Sequence, residues 1–223
     1  MATKIQIAID GPAGSGKSTI AKIIASKFNY IYVDTGAMYR AVTLFAKLNQ
    51  IAFEDEDRIA ELVSTIALTF VPADPVQRVI LDGRDVTSDI RSEEITNNVS
   101  LVSSYAKVRE EMTERQRQMS ENASVVMDGR DIGTTVLPKA QIKIFLVASV
   151  DERARRRFKE NQAKGMSTSL DDLKQEIIAR DYKDSHRLIS PLKKASDAIE
   201  IDTSHLSIDQ VVEKISQIIK TRA

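Results

Sequence analysis

Gly11, Gly16, Lys17 and Ser18 stand at the spacing of a phosphate-binding loop: glycine, four residues, then glycine, lysine and serine. Pro12, Ala13, Gly14 and Ser15 fill the gap, and Thr19 follows with a second hydroxyl. Glycine allows the backbone φ values that turn N–H groups inward and that a side chain would forbid. Those N–H groups, with the positive end of a helix opening at Lys17, form a cradle for a polyphosphate. Lys17 is placed to reach the β- and γ-phosphates, and the Ser18 hydroxyl to coordinate Mg²⁺ directly. A glycine-rich turn followed by a chance lysine would need neither an apolar strand before it nor an amphipathic helix after it. Both contexts are present, so a nucleoside triphosphate is the expected ligand.

Two more segments at predicted strand ends carry reactive groups: Asp34-Thr35-Gly36-Ala37-Met38-Tyr39-Arg40 and Asp128-Gly129-Arg130-Asp131-Ile132-Gly133-Thr134. In an open parallel sheet, ligands sit beyond the carboxyl ends of the strands. Phosphoryl transfer asks for positioning and cations more than for covalent chemistry. Arg40 and Arg130 are candidates to clamp an acceptor phosphate bidentately. Asp34 or Asp128 can hold Mg²⁺ through water, because Mg²⁺ keeps much of its hydration shell. Each aspartate reads equally well as a helix N-cap.

Two helical segments add charge. Asp151 to Lys164 carries Arg153, Arg155, Arg156 and Arg157, with Arg153 and Arg157 on one face. A solvated face is the bland reading; a lid closing on phosphate, with Arg153 and Arg157 reaching the transferred group, is the one expected here. Ser169 to His186 is a long helix. Leu173, Ile177, Arg180, Asp184 and Arg187 step by four, three, four and three along one stripe, apolar first and ionic later. That pattern predicts a helix leaving the core to line a cleft. The alternative is an exposed ladder of Arg180, Asp184 and Arg187, which contributes only tenths of a kcal/mol.

The elements that must position these groups follow a strand–helix rhythm. The sequence predicts a strand over 5–9, a helix after the loop striped by Ile20, Ile23, Ile24 and Phe28, a strand over 30–33 and a helix over 36–48. Short joints between them imply a parallel sheet with right-handed crossovers. The rhythm changes near Phe53. A helix with Ile59, Leu62, Val63 and Ile66 leads to two β-rich runs, 68–71 and 78–81, around Pro72 and Pro75. Asp82-Gly83-Arg84-Asp85 then reads as a turn, so a small antiparallel piece is expected here. Helices over 92–104 and 106–119, strands over 124–127, 143–147 and 198–201, and a terminal helix with a Ser207/Gln210 capping box complete the chain.

The 223 residues suit one compact domain spanning 1–223. Lysine plus arginine equals aspartate plus glutamate at 32 each, so no global field draws in nucleic acid or membrane. Cysteine is absent and histidines number two, which excludes disulfides, thiolate zinc sites and cysteine nucleophiles. No run approaches the roughly 18 apolar residues of a membrane helix. No leader is read at the start. A cytoplasmic monomer is expected.

Four stretches together are similar to the bacterial-type cytidylate kinases: IAIDGPAGSGKST from Ile7, VDTGAMYRA from Val33, DGRDIGT from Asp128 and RDYKDSHRLISP from Arg180. The likeness runs nearly end to end, and the last three distinguish this family from adenylate kinases. It implies an α/β phosphate-loop kinase fold with a five-stranded parallel sheet flanked by helices. A monophosphate-binding insert with a small antiparallel sheet would span 52–96, and a short lid 151–168. Core segments would be 1–51, 97–150 and 169–223. By the same resemblance the substrates are ATP with Mg²⁺ and CMP or dCMP. Arg40, Arg130 and Arg187 would hold the CMP phosphate, Ser100, Arg109 and Asp131 would read cytosine, and Arg180 with Asp184 the ribose. Thr35 and Tyr39 complete the expected acceptor site. Thr35 departs from the serine expected as often at its place but keeps the hydroxyl. A carboxylate at Asp131 also has a physical reason, since it accepts from the exocyclic amine of cytosine. The rival enzyme is a kinase of another small acceptor such as shikimate. A GTP switch would want Asn-Lys-x-Asp and Asp-x-x-Gly, and neither occurs.

Overall fold

A computed structural model describes residues 4–71, 77–163 and 165–222. Pro72 and Pro75, and Lys164 at the end of the arginine-rich segment, lie outside the described residues. In chain order the elements are β1 (Gln6–Asp10), α1 (Lys17–Phe28), β2 (Ile31–Asp34), α2 (Thr35–Leu48), α3 (Glu56–Val63), β3 (Leu68–Val71), β4 (Arg78–Leu81) and β5 (Arg84–Asp85). Then come α4 (Glu93–Val102), α5 (Ala106–Glu121), β6 (Val125–Gly129), β7 (Ile142–Val147), α6 (Val150–Ala163), α7 (Leu170–His186), β8 (Ile199–Asp202) and α8 (Ile208–Arg222).

The chain divides into two compact units, one of residues up to Val33 and from Arg117 onward, the other Asp34–Gln116. The second unit is larger than the insert over 52–96 that the resemblance implies. The first is built on a five-stranded sheet in the order β2-β6-β1-β7-β8. The β1–β6, β1–β7 and β7–β8 ladders are parallel. β1 is central because its residues are apolar on both faces; Ile7 and Ile9 pack with Ile20 and Ile24 of α1 and with Val211 and Ile215 of α8. Successive strands are added first on one side of β1 and then on the other, so the crevice at its carboxyl end is the expected ligand site. The register sets Asp10 beside Gly129 of β6 and Phe145 of β7. α8 begins as the sequence predicts: Ser207 Oγ accepts from the Gln210 amide, and Gln210 Oε1 from the Ser207 amide.

A second, smaller core of Ala154, Leu173 and Ile177, with Phe158 and Leu170 against it, joins α6 to α7. The apolar half of the α7 stripe is thus buried. In the second unit, β3, β4 and β5 form the expected antiparallel sheet. Asp82 and Gly83 take positive φ in the turn before β5, and Asp82 Oδ1 accepts from the Ala67 amide.

Candidate active site

The loop between β1 and α1 is set by local sterics. Gly11 has φ +146°, and a Cβ there would lie 2.0 Å from the Leu146 carbonyl oxygen on β7. Only glycine lets β1 exit so close to its neighbour. Gly14, at φ +78°, comes within 3.1 Å of the Arg153 Cβ by the same construction. Ser15 Oγ and Lys17 Nζ both donate to the Pro12 carbonyl, at 3.0 and 2.6 Å, closing the loop on itself. α1 opens at Lys17 from a left-handed Gly16, with no side chain capping its first amides. Thr19 is exposed.

Lys17 is 5% exposed. Burial first, then the charge of Arg130, holds its pKa well below the lysine range; Arg180 adds to this while Asp128 and Asp10 pull the other way. A desolvated ammonium in the field of two guanidinium groups gains by meeting a polyphosphate. The Ser18 hydroxyl donates to Asp128 Oδ2 at 2.7 Å, and the Tyr32 hydroxyl to Oδ1 at 2.8 Å. Among the described residues no group of three or more His, Cys, Asp or Glu could hold a metal. A divalent cation would therefore rest on Ser18, on Asp128 through water, and on the nucleotide itself. That donor set suits Mg²⁺.

Beyond β6, Arg130 Nε donates to Asp184 Oδ2 at 2.8 Å. Arg187 Nη2 donates to Asp131 Oδ1 at 3.3 Å, and its Nε to the Ser190 carbonyl. Burial pushes the Asp184 carboxyl up, but Arg130, Arg180 and Arg187 outweigh it and hold the group below its ordinary value. The ionic half of the α7 stripe is therefore no exposed ladder. It is a buried carboxylate, with Arg187 just past the helix end, tied to the segment after β6. Two of the three arginines assigned by resemblance to phosphate, Arg130 and Arg187, are paired here with carboxylates assigned to ribose and base.

On α6 the spacing argument holds only in part. Arg153 and Arg157 share a face, yet Arg153 is buried while Arg157 is exposed. Arg153 forms a bidentate pair with Asp181 of α7, at 3.0 and 2.6 Å, and donates to the carbonyls of Ala13 and Ala148. Arg156 reaches the Gly14 carbonyl at 3.4 Å, Glu152, and both oxygens of Thr203. Thr203 Oγ1 in turn donates to the Ser15 carbonyl. These side chains brace the outer face of the phosphate loop.

In the second unit, Asp34 takes the capping role: its Oδ1 accepts from the Ala37 amide at 2.9 Å, and Oδ2 lies 3.6 Å from Arg91. The carboxylate hydrogen-bonded to Ser18 is Asp128. Thr35 and Tyr39 are buried on α2, Arg40 is half-buried one residue on, and Ser100 is half-buried on α4. The Arg109 guanidinium is buried, donates to the Ser103 carbonyl and lies 5.4 Å from the centre of the Tyr39 ring.

The first unit thus brings together Gly11–Thr19, Arg130, Asp131, Arg153, Arg180, Asp184 and Arg187, and the second Asp34, Thr35, Tyr39, Arg40, Ser100 and Arg109. Sequence spacing gives no signal for Tyr32, Asp181 or Thr203 as site residues, and it marks Arg156 only as one of the arginines of the expected lid. For Asp10 the available cue is a charged residue ending an apolar central strand.

Residues 7–221 match the family described as cytidylate kinase. A cytidylate kinase of Leuconostoc mesenteroides is 64% identical over 218 residues, 98% of this chain and 97% of that protein. One of Enterococcus faecalis is 57% identical over 219 residues, again 98% and 97% of the two chains. Among solved structures, an uncharacterized protein from Eubacterium ventriosum aligns with a TM-score of 0.53 at 14% identity, over 98% of this chain and 100% of that one, a likeness of fold alone. By the breadth of the family match and the identity of these relatives, the chain belongs to the cytidylate kinase family.

Proposed function

We propose that this protein transfers the γ-phosphoryl group of ATP to CMP, and to dCMP, giving the diphosphate. The observation that carries the reading is the cationic cluster of buried Lys17 with Arg130 and Arg180 around a phosphate loop, in a chain that matches the family over residues 7–221. Lys17 and the amides of residues 14–19 bind the ATP phosphates. Ser18, with Asp128 behind it, would hold Mg²⁺, which would supply neutralising charge for the phosphate oxygens. Arg130 and Arg187 take the CMP phosphate, Asp131 accepts from the cytosine amine, and Arg180 with Asp184 meets the ribose. By the family resemblance Arg40 also takes the CMP phosphate, and Ser100 and Arg109 read cytosine, with Thr35 and Tyr39 completing the acceptor contacts. Arg153 and Arg157 are the α6 arginines assigned to the transferred group; Arg153 also donates to the Ala13 carbonyl of the loop, and Arg157 is exposed one turn on. The reading includes a cytoplasmic monomer that acts on small molecules alone.

A coupled assay with MgATP and a panel of CMP, dCMP, UMP, AMP and shikimate tests the reading. CMP and dCMP should turn over with the highest kcat/KM. A preference for shikimate, or turnover of none of the five, overturns it.

A further inference from the structure

Asp10 ends the central strand immediately before the phosphate loop, and it is 4% exposed. Its two carboxylate oxygens are both engaged. Oδ1 accepts from the Ile132 amide at 2.8 Å and Oδ2 from the Gly133 amide at 2.7 Å. Ile132–Val136 is a single turn of π-type hydrogen bonding, with the Leu137 amide donating to the Ile132 carbonyl at 2.7 Å. The first amides of any such turn have no partner within it and need an outside acceptor. Normally the residue at the cap position supplies that acceptor, and aspartate is among the best at it. Here the cap position holds Asp131, whose side chain makes no capping bond. Its carboxylate is paired instead with Arg187. The capping has been handed to a residue more than a hundred positions earlier.

We infer that Asp10 is a positioning residue for acceptor recognition: by capping the turn in place of Asp131, it directs the Asp131 carboxylate toward the nucleobase. This rests on the reading of Asp131 given above. A second observation supports the same arrangement from the other side of the turn. A Cβ on Gly133 would meet Lys143 Cδ at 3.2 Å and Asp10 Oδ2 at 3.3 Å, so the turn sits hard against the carboxylate that caps it. The φ of Gly133 lies outside the range that demands glycine, so closeness of approach is what glycine serves there. Burial also lifts the Asp10 pKa, a cost that a purely packing position would avoid with an apolar residue.

Three variants test this by the ratio of kcat/KM for CMP over UMP. Asp10→Asn keeps one acceptor oxygen and turns an amide NH₂ toward the second backbone N–H, so the turn loses half its cap. Gly133→Ala pushes the same turn off Asp10 without altering the charge near Lys17. Asp131→Asn is the control for base reading. All three should lower the ratio roughly tenfold or more, with KM for CMP rising and KM for ATP staying within about threefold for Gly133→Ala. Hydrogen exchange of the Ile132 and Gly133 amides should quicken in Asp10→Asn. If Asp131→Asn lowers the ratio while the other two leave it unchanged, the role of Asp10 is refuted and the base reading stands. If none of the three moves the ratio, the base reading itself fails and takes this inference with it. If Asp10→Asn lowers kcat with both substrates equally and Gly133→Ala is silent, Asp10 acts on Lys17 and the positioning role is wrong.

Discussion

Lys17 and Asp10 show how burial sets the behaviour of single charges in this site. The Lys17 ammonium is desolvated and faces Arg130, so it is costly in the free protein and strongly attracted to a phosphate that builds charge. Lys17→Ala should therefore leave the melting temperature unchanged or slightly higher, while kcat falls on the order of a hundredfold or more, the loss of one preorganised donor. Near-normal turnover would remove Lys17 from the transferring site. Asp10 is shifted the other way: burial first, and the charge of Asp131, raise its pKa from 3.8 to about 7, against the two amide hydrogen bonds and Lys17. A carboxyl whose folded pKa exceeds its unfolded value binds more protons folded than unfolded between the two. Its stabilising contribution is thus complete below the unfolded value and lost as pH rises through about 7. Between pH 5 and 8 that loss amounts to about 2–3 kcal/mol. Urea unfolding across this range should show the decline in the native protein and a flatter profile in Asp10→Asn. Parallel profiles would mean that Asp10 does not titrate there.

At the scale of elements, α7 divides into two halves that should fail in different ways. Ile177 belongs to the small core with Ala154 and Leu173, so Ile177→Ala should cost roughly 2–4 kcal/mol of stability with CMP kinetics nearly intact. An exposed ladder would make Asp184→Ala thermally silent, but Asp184 is buried against Arg130. Removing it leaves a guanidinium without its partner, so a loss of about 2–4 kcal/mol is expected together with a raised KM for CMP. A thermally silent Asp184→Ala would return the pair to the exposed class. The strands, helices and the apolar part of this stripe are legible in the sequence because periodicity of 2 or 3.6 reports burial directly. So is the phosphate loop, because its glycines answer local demands at positions such as Gly11. The rest depends on what covers an element. Spacing puts Arg153 and Arg157 on one face, but only the approach of α7, with Asp181, decides that Arg153 is buried. Spacing likewise leaves Asp34 open between cap and metal ligand. In this structure Asp34 Oδ1 accepts from the Ala37 amide, and the carboxylate that meets Ser18 is Asp128. The Ile132–Val136 turn has no periodic signature at all, since its cap comes from another strand.

Across the whole molecule, charges cancel, with 32 basic and 32 acidic side chains. Attraction for anions therefore arises from local placement, and the cluster around Lys17 lies at the carboxyl end of the central strand where a parallel sheet gathers its ligands. A ligand that binds only the folded protein stabilises it by an amount set by its concentration over Kd, about 2.7 kcal/mol at a hundredfold excess. For a chain of this length that corresponds to a rise of about 5–10 °C in melting temperature. MgATP should produce such a rise, and inorganic tripolyphosphate a smaller one in the same direction, because the loop and Lys17 recognise phosphate rather than base. Lys17→Ala should remove most of the tripolyphosphate effect. Duplex DNA at equal phosphate concentration should leave the melting temperature unmoved, since a duplex cannot enter a loop whose lysine is buried and no net charge draws it to the surface. If DNA stabilises the protein as much as tripolyphosphate does, the anion site is an open basic surface and the enclosed cluster around Lys17 is the wrong description.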